Sequence, residues 1–459
     1  MTALFQRLRA PSMAAGRAFF ARVLLLALLA LTFAAPAKAQ TLIRDAEIEY
    51  SLRQLMRPIA AAAGLNANSL RVVIVKDNSL NAFVADNESI FLHSGLILKL
   101  DSAAEMQAVL SHEIAHIANG HIARRQVNAK TAGNAAKIGT LLGMALAASG
   151  NGAAGSGIAA GSASSSQRVF FGHTRAEESA ADQSGARYMA RAGVSPQAMA
   201  DVLDIFRGQE ALIGGRQDPY VRTHPLSAER LRRVKGYAAA YPVDGADTST
   251  ADYWFARARG KLGAFLQNPS FTLRKVGKKD QSDVALMRRA VAYHRKPDAK
   301  NALREINALM AKRPKDPFAH ELKGQILLES RQFGAAVNAY ANAVNLSPNH
   351  PLILGGYGRA LLALKTADGN KRALSALQKA RSRDFLNPGL LRDLAVAYAR
   401  SGQNGQASLA TAERYAITGR LKDAAVHAKR ASDLLPNGSP GWRRAQDILA
   451  AAKTAGTRR

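Results

Sequence analysis

The stretch "SHEIAHIANGH", Ser111 to His121, holds one glutamate and three histidines within eleven residues. His112 and His116 stand four apart, so a helix puts them on one face, with Glu113 offset by one residue. Two imidazoles on one face suit zinc, which takes nitrogen donors at roughly 2 Å and, in a catalytic site, keeps a position open for water. A carboxylate one residue away is placed to take that water's proton rather than to bind the metal. The competing reading is a helix with an ordinary polar face, and the surroundings must decide between them.

A catalytic zinc needs a third protein ligand. A metzincin carries glycine three and histidine six residues after the second motif histidine; here Gly120 and His121 stand four and five after His116, so that pattern fails. His121 reads as a cap or loop histidine. Further on, "RAEESAAD" places Glu178 and Asp182 four apart on one helix face. Glu178 can then bind zinc while Asp182 accepts the N–H of a ligand histidine. Glu177 has Ala181 at the matching position and is the poorer ligand. Spacing alone leaves Glu178 open to being a solvated helix charge. In "RTHPLSAER", His224 precedes Pro225, a pair that also makes a simple loop turn.

These residues need elements to hold them. Ser102 and Glu105 form an S-x-x-E capping box, Met106, Leu110, Ile114 and Ile117 make an apolar stripe, and Gly120 can end the helix. A second helix runs from Arg175, with Gly193 as its C-terminal cap. Ahead of both, Ala46 to Ala63 has helical periodicity and "RVVIVKD" (Arg71 to Asp77) reads as a buried strand. Asn81 to Leu98 offers two more extended pieces joined by the polar turn "DNES". Residues 130–166 are rich in Gly, Ala and Ser around an apolar patch, Ile138 to Ala148. That patch is too short to span a bilayer. It reads as filler, as a lid over a cleft or as a membrane contact.

A composition change over Val243 to Asp252 marks a domain boundary, and from about residue 283 the sequence repeats. Gly324, Phe333, Ala336, Tyr340, Ala343 and Pro348 occupy the small and large positions of a tetratricopeptide repeat (TPR). Pro314 closes a weaker copy containing Ala290, Tyr293 and Ala302. Gly358, Ala373, Leu377 and Ala380, then Tyr415, Ala424, Ala431 and Pro436, mark later ones. Alanines let helices approach closely while aromatic side chains fill the gaps between helix pairs, and stacked pairs leave a concave groove.

The first residues belong to no fold. Four arginines precede the apolar run Val23 to Ala35, and "AKA" (Ala37 to Ala39) ends the segment with the small residues that signal peptidase reads. This predicts a cleaved secretory signal over 1–39 and a mature chain from near Gln40. The chain has no cysteine, so it has no disulfides and any metal site must use His, Asp or Glu. Hydrophobic residues at 47% and charged ones at 21% argue against disorder. A formal charge of +29 suits anionic partners such as acidic protein segments or an anionic membrane surface; export makes nucleic acid the least fitting of these.

"HEIAHIANGH" followed by "TRAEESAAD" and "THPLSAER" resembles the gluzincin peptidases that include HtpX and the CAAX prenyl proteases. With the signal and the repeats, the likeness extends to the periplasmic BepA type over nearly the whole mature chain. The resemblance implies one zinc ion held by His112, His116 and Glu178, with Glu113 as general base and Asp182 supporting a ligand histidine. It also implies that His224 can reach the metal as a fourth ligand and latch the site. Thr174-Arg175 replaces the S-R pair common in the family, and "DNES" replaces glycines beside the strand expected to pair with substrate. The expected fold is α+β: a mostly helical gluzincin peptidase domain with a small sheet over 40–250, a connection over 251–282, and an α-helical TPR solenoid over 283–459. The expected function is periplasmic zinc endopeptidase, acting on outer-membrane proteins and meeting their assembly machinery through the TPR groove. The alternative is a TPR adaptor or chaperone whose metal site is latched or silent.

Overall fold

The computed structural model describes residues 42–124, 175–209 and 218–456. The expected signal segment, the patch Ile138 to Ala148 and Thr174 lie outside the described residues. Helix α1 (Ala46–Ala62) starts at Asp45, whose carboxylate accepts from the N–H groups of Glu47 and Ile48. Its buried stripe of Ile48, Leu52, Leu55, Met56 and Ile59 faces a four-stranded sheet. The sheet order is β1 (Leu42–Ile43), β2 (Arg71–Val75), β4 (Ser89–His93), β3 (Ala82–Val84). β2 and β4 run parallel with Val75 opposite His93; β3 pairs antiparallel to β4 with Ala82 opposite Leu92. β3 is therefore an edge strand. The extended run stops at His93, because Ser94–Lys99 forms helix α2 rather than more strand.

Helix α3 (Ala103–Ala118) opens with both halves of the Ser102–Glu105 capping box in place. Gly120 and Gly193 take positive φ at the ends of α3 and of α4 (Arg175–Arg191), a conformation that costs a glycine little. The sequence predicts one apolar stripe on α3, yet the helix is buried from Met106 to His116 on every side. It packs against α1, α4, α5 (Gln197–Ile205) and α8 (Ser249–Leu266), so its polar residues face other helices rather than water. Helices α6 (Pro219–Thr223) and α7 (Ala228–Ala240) lie between α5 and α8 in the chain, and α9 (Pro269–Val276) follows.

From Asp283 the chain forms five antiparallel helix pairs. They are α10 (Asp283–Arg295) with α11 (Ala299–Lys312), α12 (Pro317–Glu329) with α13 (Phe333–Leu346), and α14 (Pro351–Ala363) with α15 (Ala367–Arg381). The last two are α16 (Pro388–Arg400) with α17 (Asn404–Ile417), and α18 (Leu421–Leu434) with α19 (Pro440–Gly456). The repeat residues carry this packing: a Cβ on Gly324 would stand 2.7 Å from the Tyr340 ring, and one on Gly356 2.4 Å from it. The ring thus fills the space that two glycines leave between successive pairs.

Residues 251–282 are mostly α8 and α9. α8 gives Phe255, Ala258 and Leu262 to the core around the sheet and Ala264 to the first repeat core. The α1 end adds Ala46 and Tyr50 to a cluster with Phe318, Ala343 and Ile353 of the repeats. A buried charge cluster lies beside it. Arg257 bridges Glu47 and Asp316, and the fully buried Lys261 ammonium lies 3.0 Å from Asp45, 3.2 Å from Glu47 and 3.6 Å from Glu321. No described helix is long and apolar enough to cross a membrane.

Candidate metal centre

Helix α3 aims His112 and His116 at α4, where Asn119 ties the two helices by donating to Ala180 O at 3.3 Å. Glu178 and Asp182 occupy the facing side of α4 and are 2% exposed, whereas Glu177 is only partly buried. The short helix α6 then brings His224 in from a third direction. One donor atom each from His112, His116, Glu178 and His224 lies within 4.8 Å of the others, and all four residues are buried.

The spacing within this set decides whether it fits a metal. His112 Nε2 is 3.0 Å from His116 Nε2, 3.3 Å from His224 Nδ1 and 3.4 Å from Glu178 Oε2. Glu178 Oε1 is 3.3 Å from His116 Nε2 and 3.0 Å from His224 Nδ1. Donors about 2.0–2.1 Å from a shared centre, at tetrahedral angles, stand about 3.3 Å apart. Five of the six donor pairs come close to that spacing, counting both Glu178 oxygens, and all four groups lie within 4.8 Å, with nitrogen and oxygen donors of the kind zinc accepts.

The supporting contacts orient these donors. Asp182 Oδ1 stands 3.0 Å from His112 Nδ1, which leaves Nε2 facing the centre. Arg230, near the start of α7, grips Asp182 with two bonds of 2.7 and 2.9 Å and reaches Glu178 Oε2 at 2.7 Å. It also donates to His224 O at 3.3 Å, so one guanidinium ties together the α4 carboxylates and the His224 turn. His121 departs from its reading as a cap or loop histidine. It is buried, with Nδ1 2.8 Å from Nδ1 of His116, so it holds the far side of that imidazole. Neither role had a sequence signal: Arg230 is one of 63 basic residues, and His121 follows the glycine that ends α3.

In the metal-free protein these groups set one another's protonation. Burial works against a proton on His112, but Glu178 and Asp182 outweigh it and its pKa is pushed up to about 10. Burial holds His116 well below the usual imidazole range, with Glu178 only partly offsetting it. Burial would raise Glu178, yet His224, Arg230 and His112 keep it well below the carboxylate range. Asp182 is lowered against its burial by Arg230 and His112.

Glu113 is fully buried beside the donor set, with Oε1 3.4 Å from His224 Nε2. The same Nε2 lies 3.3 Å from Ala82 O on the edge strand. Tyr220 N–H donates to Leu80 O at 3.2 Å, and Leu80 N–H to Asp218 Oδ1 at 3.3 Å. The 218–224 segment thus touches both the donor set and the backbone leading into β3. All six residues singled out in the sequence, His112, Glu113, His116, Glu178, Asp182 and His224, come together here.

A Peptidase family M48 profile matches residues 46–238, the part of the chain that builds this centre. The beta-barrel assembly-enhancing protease of Yersinia pestis is 26% identical over 387 residues, covering 81% of this chain and 77% of that protein. Its namesake from Escherichia coli (strain K12) is 26% identical over 403 residues, covering 84% and 80%. Metalloprotease LoiP, also of Escherichia coli (strain K12), is 29% identical over 209 residues, covering 43% of this chain and 74% of its own length. The residues that build this centre thus match the model of a metallopeptidase family, and most of the chain is similar to beta-barrel assembly-enhancing proteases.

Proposed function

We propose that the chain is an exported, periplasmic zinc endopeptidase acting on misfolded or stalled outer-membrane and periplasmic proteins. The observation that supports this reading is a converging set of four buried donors beside a buried carboxylate, Glu113, whose Oε1 lies 3.4 Å from His224 Nε2. His112, His116 and Glu178 would hold the ion, which when bound supplies Lewis acidity toward a peptide carbonyl and a bound water. Glu113 takes the water's proton and passes it to the leaving amine. Asp182 fixes the His112 tautomer, and Arg230 keeps the Glu178 carboxylate ionised and aimed. The substrate lies extended along the edge of β3, which offers backbone groups for pairing.

His224 sets the resting state in this reading. Its Nδ1 would be a fourth donor to the ion and its Nε2 faces Glu113, so His224 would hold the place of the attacking water until the 218–224 segment moves. The same movement releases the contacts to Leu80 and Ala82, opening the strand edge to substrate. The names of the relatives point to β-barrel assembly. We place substrate or assembly-machinery docking on the repeats, where Phe385, Leu386, Tyr398 and Ile417 line a groove of about 710 Å³. That fourth donor also favours a second reading, a TPR adaptor or chaperone whose metal site stays latched.

Cleavage of an unfolded outer-membrane β-barrel protein separates the two. The wild type should cleave slowly and His224→Ala faster, while Glu113→Gln should retain its metal and fall by at least about 10²-fold, in the range of general acid–base catalysis. If His224→Ala binds metal and captures the substrate but never cuts it, the adaptor reading replaces the enzyme.

A further inference from the structure

Helix α9 and the loop after it lie outside the metal centre and carry an unusual surface. Phe271, Arg274 and Lys275 follow i, i+3, i+4 spacing on the helix, and Lys278 and Lys279 follow in the loop beyond Gly277. All five are exposed, and Phe271 leaves 42% of its surface in water. None of the four cations forms an ion pair with a described carboxylate; Lys275 instead lies 5.9 Å from the centre of the Phe271 ring. The nearby acid, Asp280, is turned to the Ser282 N–H at 2.8 Å.

The loop is held in place from beneath. Arg289, 2% exposed, donates through Nη1 to Gly277 O and Asp280 O at 2.9 and 2.6 Å and through Nε to Glu305 at 2.8 Å. Lys278 therefore sits at a fixed rim, and beside it opens a cleft of about 500 Å³ lined by Tyr293, Asn301, Arg304 and Glu305. One exposed aromatic ring among exposed cations, on a strongly basic chain, lacks the cluster of apolar anchors that a protein interface puts at its centre. It matches a bilayer interface, where an aromatic ring enters the headgroup boundary and lysine stems reach back to phosphates.

We propose that the exposed face of α9 with Lys278 and Lys279 docks on an anionic phospholipid surface, with the cleft beside Lys278 receiving a headgroup. This proposal is independent of whether the metal centre cleaves anything. The chain from Gln40 to Arg459, which holds the whole described fold, is sedimented with phosphatidylcholine vesicles made with or without phosphatidylglycerol.

Binding is expected only with phosphatidylglycerol and should weaken as salt rises. Each lost cation should weaken it about five-fold, so Lys275→Gln/Lys278→Gln/Lys279→Gln should cost about 10²-fold. Phe271→Ala should weaken it further while leaving the salt dependence. Lys371→Gln/Lys422→Gln/Lys429→Gln, with equal charge loss on the repeats, should change binding little. Four results overturn the proposal: no vesicle binding at low salt, equal loss in the repeat control, displacement by dilute inorganic phosphate, or tight binding to polyglutamate in place of vesicles. Unchanged circular dichroism and melting temperature show that the variants are folded.

Discussion

Two buried polar clusters in this molecule look alike in composition and differ in arrangement. Where α8 meets α1 and the repeats, each carboxylate meets a cation: Glu47 has Arg257 and Lys261, Asp316 has Arg257, and Asp45 has Lys261. At the metal centre three imidazoles and a carboxylate turn electron-pair donors toward one another at 3.0–3.4 Å. In the first cluster two cations each bridge two or more acids, whereas in the second the donor atoms converge on one point that a metal ion would occupy. The difference separates a cluster that joins two parts of a fold from one that holds an ion, although both are rich in buried acids. Arg230 stands at the border of the two designs, an internal cation serving the ligand carboxylates from behind.

The largest expected effect breaks the joining cluster. Lys261→Met leaves Asp45, Glu47 and Glu321 buried around an apolar side chain, and urea unfolding at neutral pH should show a loss of about 3–5 kcal/mol. Metal content should not change, because no metal-centre donor contacts Lys261. A smaller effect sharpens the contrast. Burial, joined by Asp45 and Glu47, outweighs Lys261 and pushes the Glu321 carboxyl up to about 7 from 4.5. The folded state thus holds this proton more tightly than the unfolded state, so stability falls as pH rises from 4.5 through about 7. Glu321→Gln removes that ionisation. It should leave stability unchanged below pH 4.5 and raise it by roughly 1–3 kcal/mol above pH 7, seen as a melting-temperature gain that grows with pH.

What the sequence makes legible follows from the range of the interactions. The α3 start could be read because Ser102 and Glu105 act across a single turn, and the repeats because positions such as Pro314 and Pro348 stand one 34-residue unit apart. Helical spacing puts Asp182 beside a ligand histidine, but that the histidine is His112 is a long-range contact that only the fold shows. Arg230 and Lys261 could not be read. Their partners lie dozens of residues away, on faces with no periodic mark, and a chain this basic hides two special cations among many ordinary ones. The burial of α3 on all sides was also hidden. Its polar residues read as a solvent face until α4 covers them.

The converging donors are expected to hold one metal ion. Metal analysis of the purified chain, followed by X-ray absorption at the bound metal's edge, tests it most directly. One zinc per chain is expected, with about four nitrogen or oxygen neighbours near 2.0–2.1 Å. His112→Ala should abolish the bound zinc, and His224→Ala should keep the zinc while changing its coordination. A chain without stoichiometric metal, or one whose metal survives His112→Ala unchanged, would contradict the account.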